Sequence, residues 1–270
     1  MRLSYAVATK DTRSLGMLAY RADFGNVVAL LSDIGYQGIE LMVRDPDELD
    51  AGEIESVLAR YNLNVAAVGT GPVFAEDKLS FTDSDETVRN AAVMRACRIV
   101  RFASRFSSPV VIGKLRGRFA DDVDENLTRL WARDGFLRVL DEAASYGTKV
   151  LIEPQSRVAT NFIRSTQDGL DWIQELSHPA FGMTLDTFHM NIEDPSITAS
   201  FIESSPFLQH VHFAENNRLR PGKGHIDFQE IVRVLRALRY DRYVTMEIAQ
   251  IPDPETAARE AYAYIAKLLP

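Results

Sequence analysis

The sequence predicts an α/β protein folded as a single (β/α)8 TIM barrel. Eight short apolar, β-branched runs alternate with longer runs of helical period. No Pro- or Ser-rich linker interrupts them, so residues 1–270 read as one catalytic domain. Spread over 270 residues, the eight units average about 34 residues each, the size of a βα unit in a closed barrel. A doubly wound open sheet is the rival. It would normally show G-x-G-x-x-G after its first strand, and positions 8–20 contain no such run.

Leu3–Ala8 reads as the first strand, and 24–34 as a helix with apolar residues at 24, 27, 28, 31 and 34. Residues 38–43 form the next strand, and Ile54, Val57, Leu58 and Tyr61 mark the next helix. Residues 65–68 form a strand stopped by Gly69-Thr70-Gly71-Pro72, and 83–106 a long helix with acidic residues in its first turn. Then follow strand 110–113 and helix 126–146, strand 150–153 and helix 166–176, and strand 181–186 with a shorter helix at 196–204. Strand 208–213 with helix 228–238, and strand 243–248 with helix 254–268, complete the series.

The chain is 46 % hydrophobic and 25 % charged, an ordinary globular composition. Thirty basic against 38 acidic residues leave a net charge of −8, which argues against a nucleic-acid partner. Cys97 is the only cysteine, so neither an internal disulfide nor a cysteine-based zinc cluster is available, and it reads as a small core hydrophobe. The apolar run in 1–9 is too short for a signal peptide, and no window nears the ~18 apolar residues of a membrane span. The expectation is a reduced cytoplasm and no membrane partner. Homo-oligomerisation is left open.

In such a barrel the chemistry sits at the C-terminal ends of the strands. Strand five ends at Glu153, strand six at Asp186, strand seven carries His210 and His212, and strand eight ends at Glu247. The successive intervals, 33 residues from Glu153 to Asp186, 26 from Asp186 to His212 and 35 from His212 to Glu247, are each about one βα unit. Four consecutive strands thus deliver three carboxylates and an imidazole to one rim. The carboxylates would repel one another unless a divalent cation lay between them. This hard, oxygen-rich set suits Mn²⁺ best, with Mg²⁺ or Co²⁺ as alternatives, rather than a thiolate-type zinc site. His212 lies nearer the loop and is the preferred ligand; His210 packs or hydrogen-bonds one layer below. Glu40, in strand two, reads as a hydrogen-bond partner inside the barrel, and His225 as a rim residue rather than a ligand.

Several stretches carry a resemblance: Ile152-Glu153-Pro154, the run from Leu185-Asp186-Thr187-Phe188-His189-Met190-Asn191 to Glu193, His210-Val211-His212 through Asn217-Arg218, Pro221-Gly222-Lys223-Gly224-His225, and Tyr243 to Glu247. Together they resemble the xylose isomerase-like TIM-barrel sugar epimerases and isomerases. Within that group the chain is similar to ketose 3-epimerases of the D-tagatose 3-epimerase type. It is more similar to 5-keto-L-gluconate epimerases, through Arg44-Asp45-Pro46, Gly69-Thr70-Gly71, Leu79-Ser80 with Thr82, and Ile112-Gly113 with Arg116-Gly117-Arg118. The resemblance implies Glu153, Asp186, His212 and Glu247 as metal ligands. It implies Glu153 and Glu247 as the acid/base pair on opposite faces of the substrate, and His189 and Arg218 as holders of substrate oxygens. One position departs: Ala159 stands where many ketose epimerases carry a glutamate near the substrate carbonyl.

The residue types then define a reaction. A Lewis-acidic cation stabilises an enediolate beside a ketone while one glutamate removes a proton and the other returns one. The expected activity is epimerisation of a ketose or keto-sugar acid; the alternative is an aldose–ketose isomerase of the same barrel family, such as a hydroxypyruvate or sugar-phosphate isomerase. Arg116, Arg118 and Arg157 follow strands four and five and are candidates for capturing an anionic substrate end, a carboxylate rather than a phosphate. The alanine at 159 removes an acidic group that would repel it. Rival readings carry less. A glycoside hydrolase would not need Asp186 and His212, an endonuclease would want a more basic surface, and a silent sugar-binding barrel would not keep the ligand set.

Overall fold

The computed structural model describes residues 1–14 and 18–269. Its first half runs β1 (Arg2–Ala8), α1 (Phe24–Ile34), β2 (Gly38–Met42), α2 (Ala51–Arg60), β3 (Asn64–Gly69), α3 (Gly71–Asp77) and α4 (Glu86–Ser104). Then come β4 (Val110–Ile112), α5 (Glu125–Ser145), β5 (Val150–Ile152), α6 (Thr166–Leu176), β6 (Phe181–Asp186), α7 (Thr187–Glu193) and α8 (Ile197–Ser204). The chain finishes with β7 (Leu208–Phe213), α9 (Phe228–Ala237), β8 (Tyr243–Met246) and α10 (Pro254–Ala266). Each strand pairs in parallel with its sequence neighbours, and β1 closes on β8 through Arg2–Tyr5 against Tyr243–Met246. The (β/α)8 barrel expected from the alternation is therefore the fold.

The helix ends follow side-chain chemistry. Asp23 accepts from the Asn26 backbone N–H at the start of α1, and Gly35, at φ 114°, ends it in the left-handed region that favours glycine. Ser165 and Asp168 form a reciprocal cap on α6. The apolar faces then bury against the sheet: Val27, Val28 and Leu31 from α1, and Phe228, Ile231, Val232 and Leu235 from α9. Cys97 is half-buried and packs against this core as a free thiol. No helix among the described residues is long and apolar enough to cross a membrane.

Two helices were not expected. Gly69 to Pro72 reads as a stop, yet Pro72 lies in the first turn of α3, where its missing N–H costs nothing. Helix α7 hides inside the Asp186–Glu193 motif because Asp186 is at once the end of β6 and the N-cap of the helix. Strands β4 and β5 are three residues each, shorter than the apolar runs that carry them.

Inward-facing residues of different strands divide the barrel interior into two sides, β3 to β5 against β6 to β8 with β1 and β2. Ala67, Val111 and Leu151 fill one side with an apolar cluster. Ser4, Glu40, Thr184, His210 and Thr245, all fully buried, form the polar side beneath the C-terminal rim.

Candidate active site

Strand pairing brings the four expected side chains together. Asp186 stands in register with His212 on β7, Glu153 directly follows β5, and Glu247 directly follows β8. One potential ligand atom from each of the four lies within 4.8 Å of every other. His212 Nδ1 is 3.1 Å from Glu153 Oε1, 3.8 Å from Glu247 Oε2 and 4.0 Å from Asp186 Oδ2. Asp186 divides its oxygens: Oδ1 accepts from the Phe188 N–H at 2.8 Å and caps α7, and Oδ2 faces the cluster.

Loss of bulk water pushes the Glu247 carboxyl up to about 8, with His212 and Arg218 opposing and Glu153 and Asp186 adding to the rise. Burial pushes on Glu153 and Asp186 too. There, the His212 hydrogen bond and the Arg218 charge respectively help outweigh it, and both carboxyls fall below their ordinary values. Three carboxylates and an imidazole converging this closely fit a hard divalent cation: its charge would offset both the burial and the carboxylate repulsion that raise the Glu247 carboxyl.

The other nitrogen of His212 points into the barrel. Glu40 Oε2 lies 2.9 Å from His212 Nε2 and 2.8 Å from His210 Nε2. Burial opposes charge on both partners, yet the pair is ionised: histidine charge holds the Glu40 carboxyl low, and Glu40 with Glu247 holds the His212 imidazole well above its usual range. The expected placement of Glu40 and His210, one layer below the rim, agrees with this geometry.

Arg218 and His189 also reach the cluster. One Arg218 nitrogen lies 2.5 Å from Asp186 Oδ2 and 3.2 Å from Glu247 Oε2, and the other lies 3.1 Å from His189 Nε2. The guanidinium stacks over Phe188 with its carbon 4.4 Å from the ring centre. Arg218 adopts φ 61°, a left-handed backbone uncommon for a residue other than glycine, and the Ala249 N–H donates to its carbonyl at 2.7 Å. His189 Nδ1 is 2.9 Å from Ser156 Oγ, and burial lowers its pKa to about 4, so the ring is neutral.

The three arginines proposed to capture an anion behave differently. Arg116 is fully buried and donates all its guanidinium hydrogens to backbone carbonyls of Gly113, Glu153, Phe162 and Ile163. It is a scaffold for the loop after β5, with no donor left for a substrate. Arg157 is bound by Glu193 through two nitrogens at 2.8 Å and lies outside the cavity lining. Arg118 is exposed and also outside it. Two cationic side chains, Arg218 and Lys114, line the cavity; Arg218 is paired with Asp186 and Glu247, whereas Lys114 has no ion-pair partner among the described residues. His225 lies 3.2 Å from Asn191 Oδ1, away from the cluster.

The cavity above the cluster has a volume of about 310 Å³, within the range of small-molecule sites. Met42, Pro72, Val158 and Phe188 give it apolar walls, and Ala159 lines it at the position of the departure. Gln155, not singled out in the sequence, donates from Nε2 to Glu153 Oε2 at 2.7 Å. Nothing in the sequence pattern distinguishes it from a loop glutamine. Gly113 leaves the room for this contact, since a Cβ there would come within 2.6 Å of Gln155 Nε2.

A parallel barrel with three carboxylates and a histidine converging at its strand ends has the donor set of a divalent-cation site. The chain belongs to the xylose isomerase-like TIM barrel family, whose profile matches residues 28–268. It is 29 % identical over 224 residues to the L-ribulose 3-epimerase of Methylomonas sp. (strain DH-1), covering 82 % of this chain and 77 % of that one. It is 35 % identical over 131 residues to the 3-dehydro-D-guloside 4-epimerase of Escherichia coli, covering 48 % of this chain and 50 % of that one. The fold superposes on the D-psicose 3-epimerase of Clostridium cellulolyticum H10 with a TM-score of 0.84 at 20 % identity, over 100 % of this chain and 98 % of that one.

Proposed function

We propose that this protein is a divalent-metal-dependent sugar epimerase acting beside the ketone of a ketose or keto-sugar acid. The observation that carries the reading is the convergence of Glu153, Asp186, His212 and Glu247 within 4.8 Å at the floor of a sugar-sized cavity. The epimerase relatives support it and favour epimerisation over aldose–ketose isomerisation.

These four residues would hold the cation, Mn²⁺ before Mg²⁺ or Co²⁺, which supplies Lewis-acid stabilisation of enediolate charge. Glu153 and Glu247 move the proton at the carbon next to the ketone. Their environments separate them, as an acid and a base require: Glu153 is held below its ordinary value and Glu247 is pushed up to about 8. Gln155 and His212 each engage one oxygen of Glu153 and so fix its carboxylate plane. Arg218 and His189 stand beside Asp186 and Glu247 and orient substrate oxygens. Lys114 lines the same cavity and would meet a carboxylate carried by the substrate.

The test is an NMR screen of ketoses and keto-sugar acids in deuterated water with the Mn²⁺-loaded protein. Deuterium should enter at the carbon beside the ketone as the epimer forms, and chelation should stop both. Exchange that survives chelation, or its absence with every ketose and keto acid tried, overturns the proposal.

A further inference from the structure

Glu40 touches no potential ligand atom of the rim cluster except through His212, yet it decides how that histidine stands. It comes from β2, and His212 from β7, so the contact spans the barrel beneath β1 and β8. An imidazole has two nitrogens. With Nε2 bound to Glu40 Oε2 at 2.9 Å, only Nδ1 is left for Glu153, Asp186 and Glu247. A flip of the ring would take Nε2 away from a buried carboxylate, which is costly.

The carboxylate is itself braced. Its Oε2 also accepts from His210 Nε2 at 2.8 Å; that nitrogen lies 2.9 Å from Thr245 Oγ1, which lies 2.6 Å from Ser4 Oγ. All five side chains of this chain, from Ser4 to His212, are essentially inaccessible to solvent. Gly69 keeps the space above it open, since a Cβ there would lie 3.1 Å from Glu40 Oε1. That second oxygen has no hydrogen-bond partner among the described residues.

We propose that Glu40 is a positioning residue: it fixes His212 with Nδ1 turned to the rim cluster and so sets the affinity of that cluster for its cation. The inference rests on the cation-site reading above. A carboxylate behind a ligating imidazole holds its orientation and raises its basicity, and losing such a partner typically costs about 10- to 100-fold in affinity.

The experiment measures the Mn²⁺ dissociation constant of the full chain by chelator competition, for wild type, Glu40→Gln, Glu40→Asp and Asp186→Asn. The melting temperature of each metal-free protein is measured beside it. Glu40→Gln should weaken Mn²⁺ binding about 10- to 100-fold while its metal-free melting temperature stays near wild type. Glu40→Asp, which keeps the charge and shortens the reach, should lie between. Turnover of either variant should recover as Mn²⁺ is raised. Asp186→Asn separates the two readings. If it binds Mn²⁺ as wild type does, the cation site itself is wrong; if it weakens while both Glu40 variants bind normally, the role of Glu40 is overturned. A loss at Glu40 that merely follows the metal-free melting temperature across both variants also overturns it.

Discussion

The Arg218 guanidinium stands 2.5 Å from Asp186 Oδ2, joining the loop after β7 to the end of β6. The contact is charge-assisted, and stacking on Phe188 fixes the plane of the fork. Lysine would keep the charge and lose the fork, including the contact to His189. Arg218→Lys should lower kcat/KM by about tenfold or more. Steady-state kinetics at saturating Mn²⁺ check this, and a value within twofold of wild type counts against a substrate-orienting role.

Replacing either proposed proton-transfer group should cut turnover while leaving the fold intact. Glu153→Gln and Glu247→Gln should each reduce kcat by at least about 10²-fold, the lower end for a positioned acid or base. Because both are also proposed ligands, metal content is measured on the same samples. Turnover within a few-fold of wild type, with metal bound, removes the assignment.

Cation binding should release protons. The Glu247 carboxyl, pushed up to about 8, is protonated at neutral pH in the absence of a cation, and the raised His212 holds a proton between two carboxylates. Both must be deprotonated to act as ligands. Apparent Mn²⁺ affinity should therefore climb as pH rises toward about 8 and climb less steeply once Glu247 has ionised. Calorimetry in buffers of different ionisation enthalpy should find roughly one to two protons released at pH 7. A pH-independent affinity between 6 and 8 contradicts this.

The loss of Arg116 should appear in stability rather than in substrate charge. Arg116→Met removes the guanidinium donors from all four carbonyls; those of Gly113 and Ile163 keep a backbone N–H, while those of Glu153 and Phe162 lose their buried side-chain donor. A destabilisation of about 2–4 kcal/mol is expected, from buried carbonyl acceptors left unsatisfied at about 1–3 kcal/mol each. Denaturant unfolding measures it; an unchanged midpoint refutes the scaffold role.

Lys114→Met, by contrast, should leave stability unchanged. It should lower kcat/KM for a keto-sugar acid while sparing the matching neutral ketose. Comparing the two substrates at low and high salt checks the charge dependence. Equal effects on both substrates exclude Lys114 as the anion contact.

Strand and helix alternation made the barrel legible in the sequence, because helices buried on one face leave a 3.6-residue period and strands buried on both faces leave short continuous apolar runs. The same logic located Glu153, Asp186, His212 and Glu247: a polar residue ending an apolar strand must sit at the rim of a barrel. Helix α7 stayed hidden because Asp186 serves strand, cap and cluster at once. What each side chain does with its hydrogen bonds was decided only by the tertiary structure. Arg116 and Lys114 lie two residues apart in one turn, yet one is consumed by four carbonyls from two loops and the other lines the cavity. Glu40 and His212 are 172 residues apart and meet at 2.9 Å only because the sheet closes. Periodicity tells which way a residue faces along its own strand; which distant group it faces depends on barrel closure and loop packing, which place non-neighbouring chain segments in contact.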